Sequence, residues 1–336
     1  MNNIKLVYNI LLPLLLLLLL SEFHVSHSAK CHPEDKKVLL AIKKYYKNAY
    51  DMISWDPHTG CCGWNSVSCG ENTDRIDDID LTYSTDITGN ITDLFGDLPY
   101  LESLTLHKIP GLIGTIPRNI TKLTKLTTLS ITWTNISGPI PSYLGELETL
   151  TFLDLSFNNL SGSIPPSLSN LRNLGGLRLD RNRLSGSIPE SLGNLTPSLQ
   201  YLYLSHNQLS GTLPKGWGDL PFLIMELQRN KLQGDVTFLF EKNKGIQRVD
   251  FSRNQLEFDM SNADFPESLF NLDFNHNKIY GSLPQSLVKQ ENAYLNVSYN
   301  RLCGKIPVGG RLQQMGYTDF FHNRCLCGDP LPQCNH

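Results

Sequence analysis

Aliphatic residues fall on a fixed grid through most of this chain. In residues 150–173, LTFLDLSFNNLSGSIPPSLSNLRN, they hold positions 1, 4, 6, 11, 15, 19 and 22 of a 24-residue phrase, and polar or small residues fill most of the rest. The stretch from Leu126 (LTTLSITWTNISGPIPSYLGELET) and the stretch from Leu174 (LGGLRLDRNRLSGSIPESLGNLTPS) repeat the grid. Positions 4 and 6 alternate with polar neighbours, which predicts a short strand with its leucines inward and the intervening side chains outward. The following L-S-G-x-I-P predicts a tight turn at the glycine and a helix-breaking proline, so 3-10 turns are expected on the opposite side.

Aligning an asparagine at position 9 gives ten repeats, starting at 76, 101, 126, 150, 174, 199, 222, 246, 269 and 292. A period of 20–29 residues with this spacing marks a leucine-rich-repeat solenoid, in which neighbours must stack to bury a continuous core. The expected fold is an α/β solenoid: a right-handed leucine-rich-repeat superhelix with a parallel concave β-sheet, convex 3-10 turns and disulfide-bonded N- and C-terminal caps. Strands about 4.8 Å apart make that sheet roughly 45 Å long. Asn158, Asn182, Asn207, Asn230, Asn254, Asn277 and Asn300 should point inward and bond the backbone between repeats, since a buried amide needs partners. Ser84, Ile109 and Thr134 hold that column in the first three repeats, where two repeats carry an extra residue, so a less regular edge is expected there. Repeats seven and eight lose the G-x-I-P tail, and their convex side should differ.

Four segments follow. Residues 1–29, with Lys5 and an apolar run over Leu11–Leu20, read as a secretory signal peptide, and no other stretch is long and apolar enough to span a bilayer. Residues 30–75 form a cysteine cap whose helix, Asp35–Lys47, puts Val38, Leu39, Ile42, Tyr45 and Tyr46 near one face. Residues 76–315 are the repeats, and 316–336 a second cysteine cap. The eight cysteines lie only in the caps. An even count on a secretory route implies disulfides, and the spacings lack the paired C-x-x-C of zinc knuckles. Each cluster of four allows three connectivities. Adjacent Cys61 and Cys62 are poorly placed to bridge each other, and the expected pairs are Cys31–Cys61, Cys62–Cys69, Cys303–Cys325 and Cys327–Cys334. No metal site or cofactor is expected.

The formal charge is -3, and removing 1–29 takes away one base and one acid, so a strongly basic nucleic-acid binder is excluded while a local patch of either sign stays open. Six N-x-[ST] sequons, at Asn90, Asn119, Asn135, Asn159, Asn194 and Asn296, suit a secreted glycoprotein. The chain lacks G-x-S-x-G, H-E-x-x-H, G-x-G-x-x-G and P-loop motifs, and its Ser, His and Asp recur with the repeat, so no enzyme activity is expected. The outward strand positions carry the candidate chemistry. Trp133, Phe152, Phe157, Tyr201 and Tyr203 sit on adjoining repeats with Arg178, and aromatic and arginine side chains are the usual interface anchors. Asp154, Asp180, Glu226, Asp250 and Asp273 flank them and favour a partner with a basic patch.

The cap (CHPEDKKVLLAIKKYYKN, then SWDPHTGCCGWNSVSC), the ten L-S-G-x-I-P repeats and the tail (NVSYNRLCGKIPVGGRLQ, then FFHNRCLCGDPLPQC) together resemble the plant polygalacturonase-inhibiting proteins over the whole mature chain. That resemblance implies a monomeric, secreted protein of the apoplast and cell wall that covers the cleft of fungal, and sometimes insect, endopolygalacturonases. Those enzymes are β-helices whose cleft holds polyanionic pectin on basic groups. It also implies that Asp154, Asp180 and Glu226 face those groups, with glutamate here where the family usually has aspartate, and that Gln247 is a variable contact. Cell-wall pectin is a second candidate ligand. A signalling module that binds a peptide or receptor ectodomain is the alternative. Ice binding, a third reading, needs a regular Thr or Asn ladder. The central strand column instead reads Asp80, Thr105, Ser130, Asp154, Arg178, Tyr203, Glu226, Asp250, Asp273 and Asn296.

Overall fold

The computed structural model describes residues 31–71, 73–195, 198–242, 245–290 and 294–334; the expected signal peptide lies outside them. The L-x-L segments form one sheet of eleven strands, opened by Val67–Cys69 of the cap, which runs antiparallel to Ile76–Thr82. The next nine strands, from Ser103–His107 to Tyr294–Asn296, add in parallel in chain order, one per repeat. Leucines at positions 4 and 6, such as Leu153, Leu155, Leu177 and Leu179, are fully or almost fully buried. The convex side carries 3-10 turns, among them Ser142–Glu146, Pro166–Asn170 and Glu190–Asn194. As the altered tails predict, repeat seven has a short α-helix there, Phe238–Lys242, and repeat eight only Met260–Asn262.

The asparagine column is a hydrogen-bond ladder. Asn182 accepts from Leu160 N at 3.0 Å and donates to the carbonyls of Leu155 at 2.8 Å and Leu179 at 3.1 Å. Each such carbonyl is shared by two successive asparagines: Leu155 O also accepts from Asn158, and Leu179 O from Asn207. The ladder runs one step further than the sequence grid suggests. Asn323, inside the C-terminal cap, accepts from Leu302 N and donates to Val297 O and Phe320 O, so the cap begins as a partial repeat.

The L-S-G segments do more than turn. They build a second parallel sheet of eight strands, from Gly89–Asn90 to Gln255–Leu256, with a further three-stranded piece at the C-terminal end. The glycine takes a positive φ in every one of the eight strands except Gln255–Leu256, which has no glycine: φ is 77° at Gly162 and 79° at Gly186, which lets so short a strand leave the ladder and turn.

The cap helix spans Pro33–Tyr45, starting and ending two residues before the expected bounds. Leu39, Ile42 and Tyr46 are buried as the pattern predicts, whereas Tyr45 is exposed. Asp35 is buried and ion-paired with Arg75 at 2.6 Å. Trp55 and Trp64 stack at 5.8 Å over the first repeat. All four disulfides have the expected pairing.

Candidate functional site

Three outward columns run along the concave sheet. The strand registers align Asp80, Thr105, Ser130, Asp154, Arg178, Tyr203, Glu226, Asp250, Asp273 and Asn296 as its central column. Two residues before them on each strand lie Phe152, Gly176, Tyr201 and Arg248; two residues after lie Ser156, Asp180, Ser205 and Gln228. The next residue in each repeat starts the bend, and it has a positive φ in every repeat: 53° at Trp133, 55° at Phe157, 54° at Arg181, 58° at Arg229. Non-glycine residues there cost backbone energy, and the stacked neighbours hold them. Trp133 and Phe157 stack at 3.8 Å, Arg181 lies 5.0 Å over Phe157, and His276 and Tyr299 stack at 4.1 Å.

The candidate carboxylates are on this face but packed into it. Asp154 is 6% exposed and Asp180 5%, more enclosed than the strand alternation alone suggests. Neighbouring repeats stand close enough for larger side chains to roof them. Arg178 lies between the two, its Nε 3.7 Å from Asp154 and 3.6 Å from Asp180, with its guanidinium 4.9 Å over the Tyr203 ring. Glu226 is half-buried and pairs with Arg248 at 3.0 Å. The first task of several acids is local: Asp154 accepts from Ser156 N, Asp250 from Ser252 N and Oγ, and Asp273 from Asn275 N and Nδ2, each capping its own bend.

The candidate aromatics divide. Trp133 and Tyr201 are exposed, while Phe152, Phe157 and Tyr203 are half-buried. Phe152 lies across Gly176, where an added Cβ would come 2.7 Å from its ring. Gln247 is exposed at the strand entrance, away from the carboxylate cluster in the column order. All six sequon asparagines are exposed or partly so; Thr196 of the Asn194 sequon lies outside the described residues.

Repeat positions 8 and 10 hold what the candidate list missed. From repeat five onward, Arg181, Arg183, Arg229, Lys231, Arg253 and Arg301 stand exposed on either side of the buried asparagine ladder. They make a basic corner between the two sheets. The signal was present in the repeat grid, but only when the residues beside the asparagine are read as columns. Four buried polar atoms of the concave strands make no hydrogen bond among the described residues: Arg178 Nε, Asp180 Oδ1, Gln228 Oε1 and Arg248 Nε.

Burial pushes the Asp180 carboxyl up from its ordinary 3.8 to about 6, against the pull of Arg178 and with the added push of Asp154 and Glu226. Burial also pushes Asp273 to about 6, opposed by the amide of Asn275. A carboxyl raised in the folded state contributes stability that is complete below pH 3.8 and is lost as pH rises through about 6. Asp180→Asn should therefore flatten the stability profile between pH 4 and pH 7 and gain on the order of 2–3 kcal/mol relative to the parent at the upper end. Urea unfolding at several pH values checks this; parallel profiles for the two proteins would refute it.

Residues 32–70 match the Leucine rich repeat N-terminal domain family, and residues 149–171, 173–195 and 198–220 match the Leucine Rich Repeat family. The chain is 56% identical over 320 residues to a polygalacturonase inhibitor of Pyrus communis, covering 95% of this chain and 97% of that protein. It is 54% identical over 321 residues to a polygalacturonase inhibitor of Vitis vinifera, covering 96% of each. Among solved structures it is similar to a plant ice-binding protein, with a TM-score of 0.88 and 46% identity over 91% of this chain and 99% of that one.

Proposed function

Because this chain belongs to the polygalacturonase inhibitor family, we propose that it is a secreted protein of the apoplast and cell wall that binds endopolygalacturonases on its concave face and covers their substrate cleft. The observation that carries the reading is the middle of that face. Asp154, Arg178, Asp180, Glu226 and Arg248 form a preorganised charged cluster, flanked by exposed Trp133 and Tyr201 and holding three of the four buried polar atoms that lack a hydrogen bond. A partner with a basic, pectin-binding cleft would find acids to pair with, acceptors for the arginines and rings to cover, the ingredients of an interface hot spot. None of the described helices is long and apolar enough to cross a membrane.

Cell-wall pectin is the second ligand, favoured by the basic corner. Arg181, Arg183, Arg229, Lys231 and Arg253 line one edge over repeats five, seven and eight, with His206 and Gln208 at the same positions of repeat six, an extended basic strip for a linear polyanion. Ice binding gains no support from the concave face, whose central column alternates charges and rings.

The test is a titration of the purified protein against a panel of fungal and insect endopolygalacturonases, following the release of reducing ends. Inhibition of at least one enzyme at submicromolar protein is expected. Failure against every enzyme, with none bound in a direct binding assay, would sink the proposal and leave the signalling reading.

A further inference from the structure

The N-terminal half of the concave face holds a shallow pocket of about 320 Å³ that meets the charged cluster only at Asp154 and Arg178. Its floor is two rows of small polar side chains in strand register. Thr105 and Ser130 lie between Asp80 and Asp154 in one row, and Thr82, His107 and Thr132 form the other. Trp133 and Phe157 make its wall, stacked at 3.8 Å with 14° between their planes. Trp133 is 46% exposed, whereas Trp55, Trp64 and Trp217 are buried, so the chain shows solvent one indole of four.

We propose that this pocket binds a neutral pyranose ring of a cell-wall oligosaccharide. A sugar ring offers two kinds of surface at once, a flat aliphatic C–H face and a rim of hydroxyls that both donate and accept. The rigid Trp133–Phe157 stack offers the first its apolar flank and the solvent-facing part of the Trp133 indole, with Lys108 5.8 Å from the Trp133 ring and Arg181 5.0 Å from the Phe157 ring. The floor complements the second. The hydroxyls of Thr82, Thr105 and Ser130 bond no protein group among the described residues and can donate or accept. Asp154 is held by Ser156 N through one oxygen, while its other lies 3.7 Å from Arg178. Asp154 thus lines the pocket as a fixed carboxylate whose oxygens are already engaged by Ser156 N and Arg178. His107 is fixed by Thr132 Oγ1 at 2.7 Å. A pocket near 300 Å³ suits one or two rings.

The charge selects for a neutral ring. Asp80 and Asp154 bracket the floor, and burial together with Asp78 already pushes the Asp80 carboxyl upward. A uronate seated on the floor would bring a third negative charge against them; Arg178 at the floor is already shared by Asp154 and Asp180, and the other two cations nearby, Lys108 and Arg181, lie over the wall rings Trp133 and Phe157. Pectin and the neutral ring are thus assigned to different places, the basic corner and this pocket. The subsite goes beyond the inhibitor reading and does not depend on it.

Trp133 supplies its own probe. Titrating the whole protein with cellobiose, galactobiose and mannobiose should shift and quench the exposed tryptophan emission for at least one of them at millimolar concentration. Trigalacturonate should leave that emission unchanged. Thr105→Val with Ser130→Ala should weaken the neutral sugar about five- to tenfold by removing two hydroxyl partners, and saturation-transfer NMR on the same variant reads the loss without relying on the indole. Inhibition measured in parallel should be unaffected by that variant. An emission change from no neutral disaccharide, an equal change from trigalacturonate, or unaltered sugar affinity in the double variant would each overturn the subsite. None of these results touches inhibition, which fails or stands on the enzyme panel alone.

Discussion

Replacing Asn182 by leucine is expected to cost about 3–5 kcal/mol of stability and to split unfolding into two steps. The amide makes three good bonds: it accepts from Leu160 N and donates to Leu155 O and Leu179 O. Leucine fills the space and makes none of them. The two carbonyls keep one donor each, from Asn158 and Asn207, so their loss is the modest one of an exchanged hydrogen bond. Leu160 N loses its acceptor in a buried place, and that is the larger part. A total of 5–15 kcal/mol is typical of a whole domain, so this one side chain would remove a substantial share. Solenoid repeats contact mainly their neighbours, so the damage falls on the junction between repeats four and five and should uncouple the two halves. Circular dichroism during urea unfolding would show a lowered and biphasic transition. A single transition displaced by less than about 0.5 kcal/mol would show that the ladder carries little energy. Ile109 gives the internal contrast. It occupies the same column without an amide, and there the longer repeat closes its own turn through Leu112 N bonded to Ile109 O.

The same comparison explains what could be read from the chain alone. The concave strands, their register, the asparagine ladder and the 3-10 turns all follow from features that recur with fixed spacing, and a repeat averages out local ambiguity. The second sheet did not, because strands such as Asn159–Gly162 are too short to show alternation and their glycine reads equally as a turn. The left-handed column was hidden for the opposite reason. Positions such as Trp133, Arg181 and Arg229 carry large side chains where glycine or asparagine would have announced a positive φ. At the candidate site, the grid placed Asp154 and Asp180 on the correct face. Their enclosure depends on Arg178, one repeat along from Asp154 and two residues before Asp180, and a period-two argument along a single strand contains no information about that neighbour. The basic corner lay in plain view as two columns beside the asparagine, but lysine and arginine next to a turn read as ordinary solvated residues until the columns are stacked.

The second large effect concerns inhibition. Asp154→Asn with Asp180→Asn should weaken inhibition about ten- to a hundredfold at low salt, a loss of roughly 1.4–2.8 kcal/mol, and much less at physiological salt. The argument is a charge count at one spot. Asp154, Asp180 and Arg178 lie within ion-pair reach of each other, and with both acids ionised their sum is -1. Neutralising both acids leaves Arg178 alone, a sum of +1, facing a cleft that is itself basic in the proposed complex. The change is therefore from attraction to repulsion, and its reach grows from about 8 Å at physiological salt to about 30 Å at 0.01 M. Asparagine is chosen over alanine because its side-chain oxygen can still accept from Ser156 N, so the bend survives and lost inhibition is not lost structure. The effect should also shrink as pH falls below about 6, where Asp180 of the parent already carries its proton and the parent's own sum approaches zero. Arg178→Ala is the opposite test: it leaves the two acids uncompensated at -2 and should speed association, provided the fold holds. An inhibition constant that does not change in the double variant, or a loss equal at high and low salt, would remove these carboxylates from the interface and shift the search to Tyr201 and Trp133.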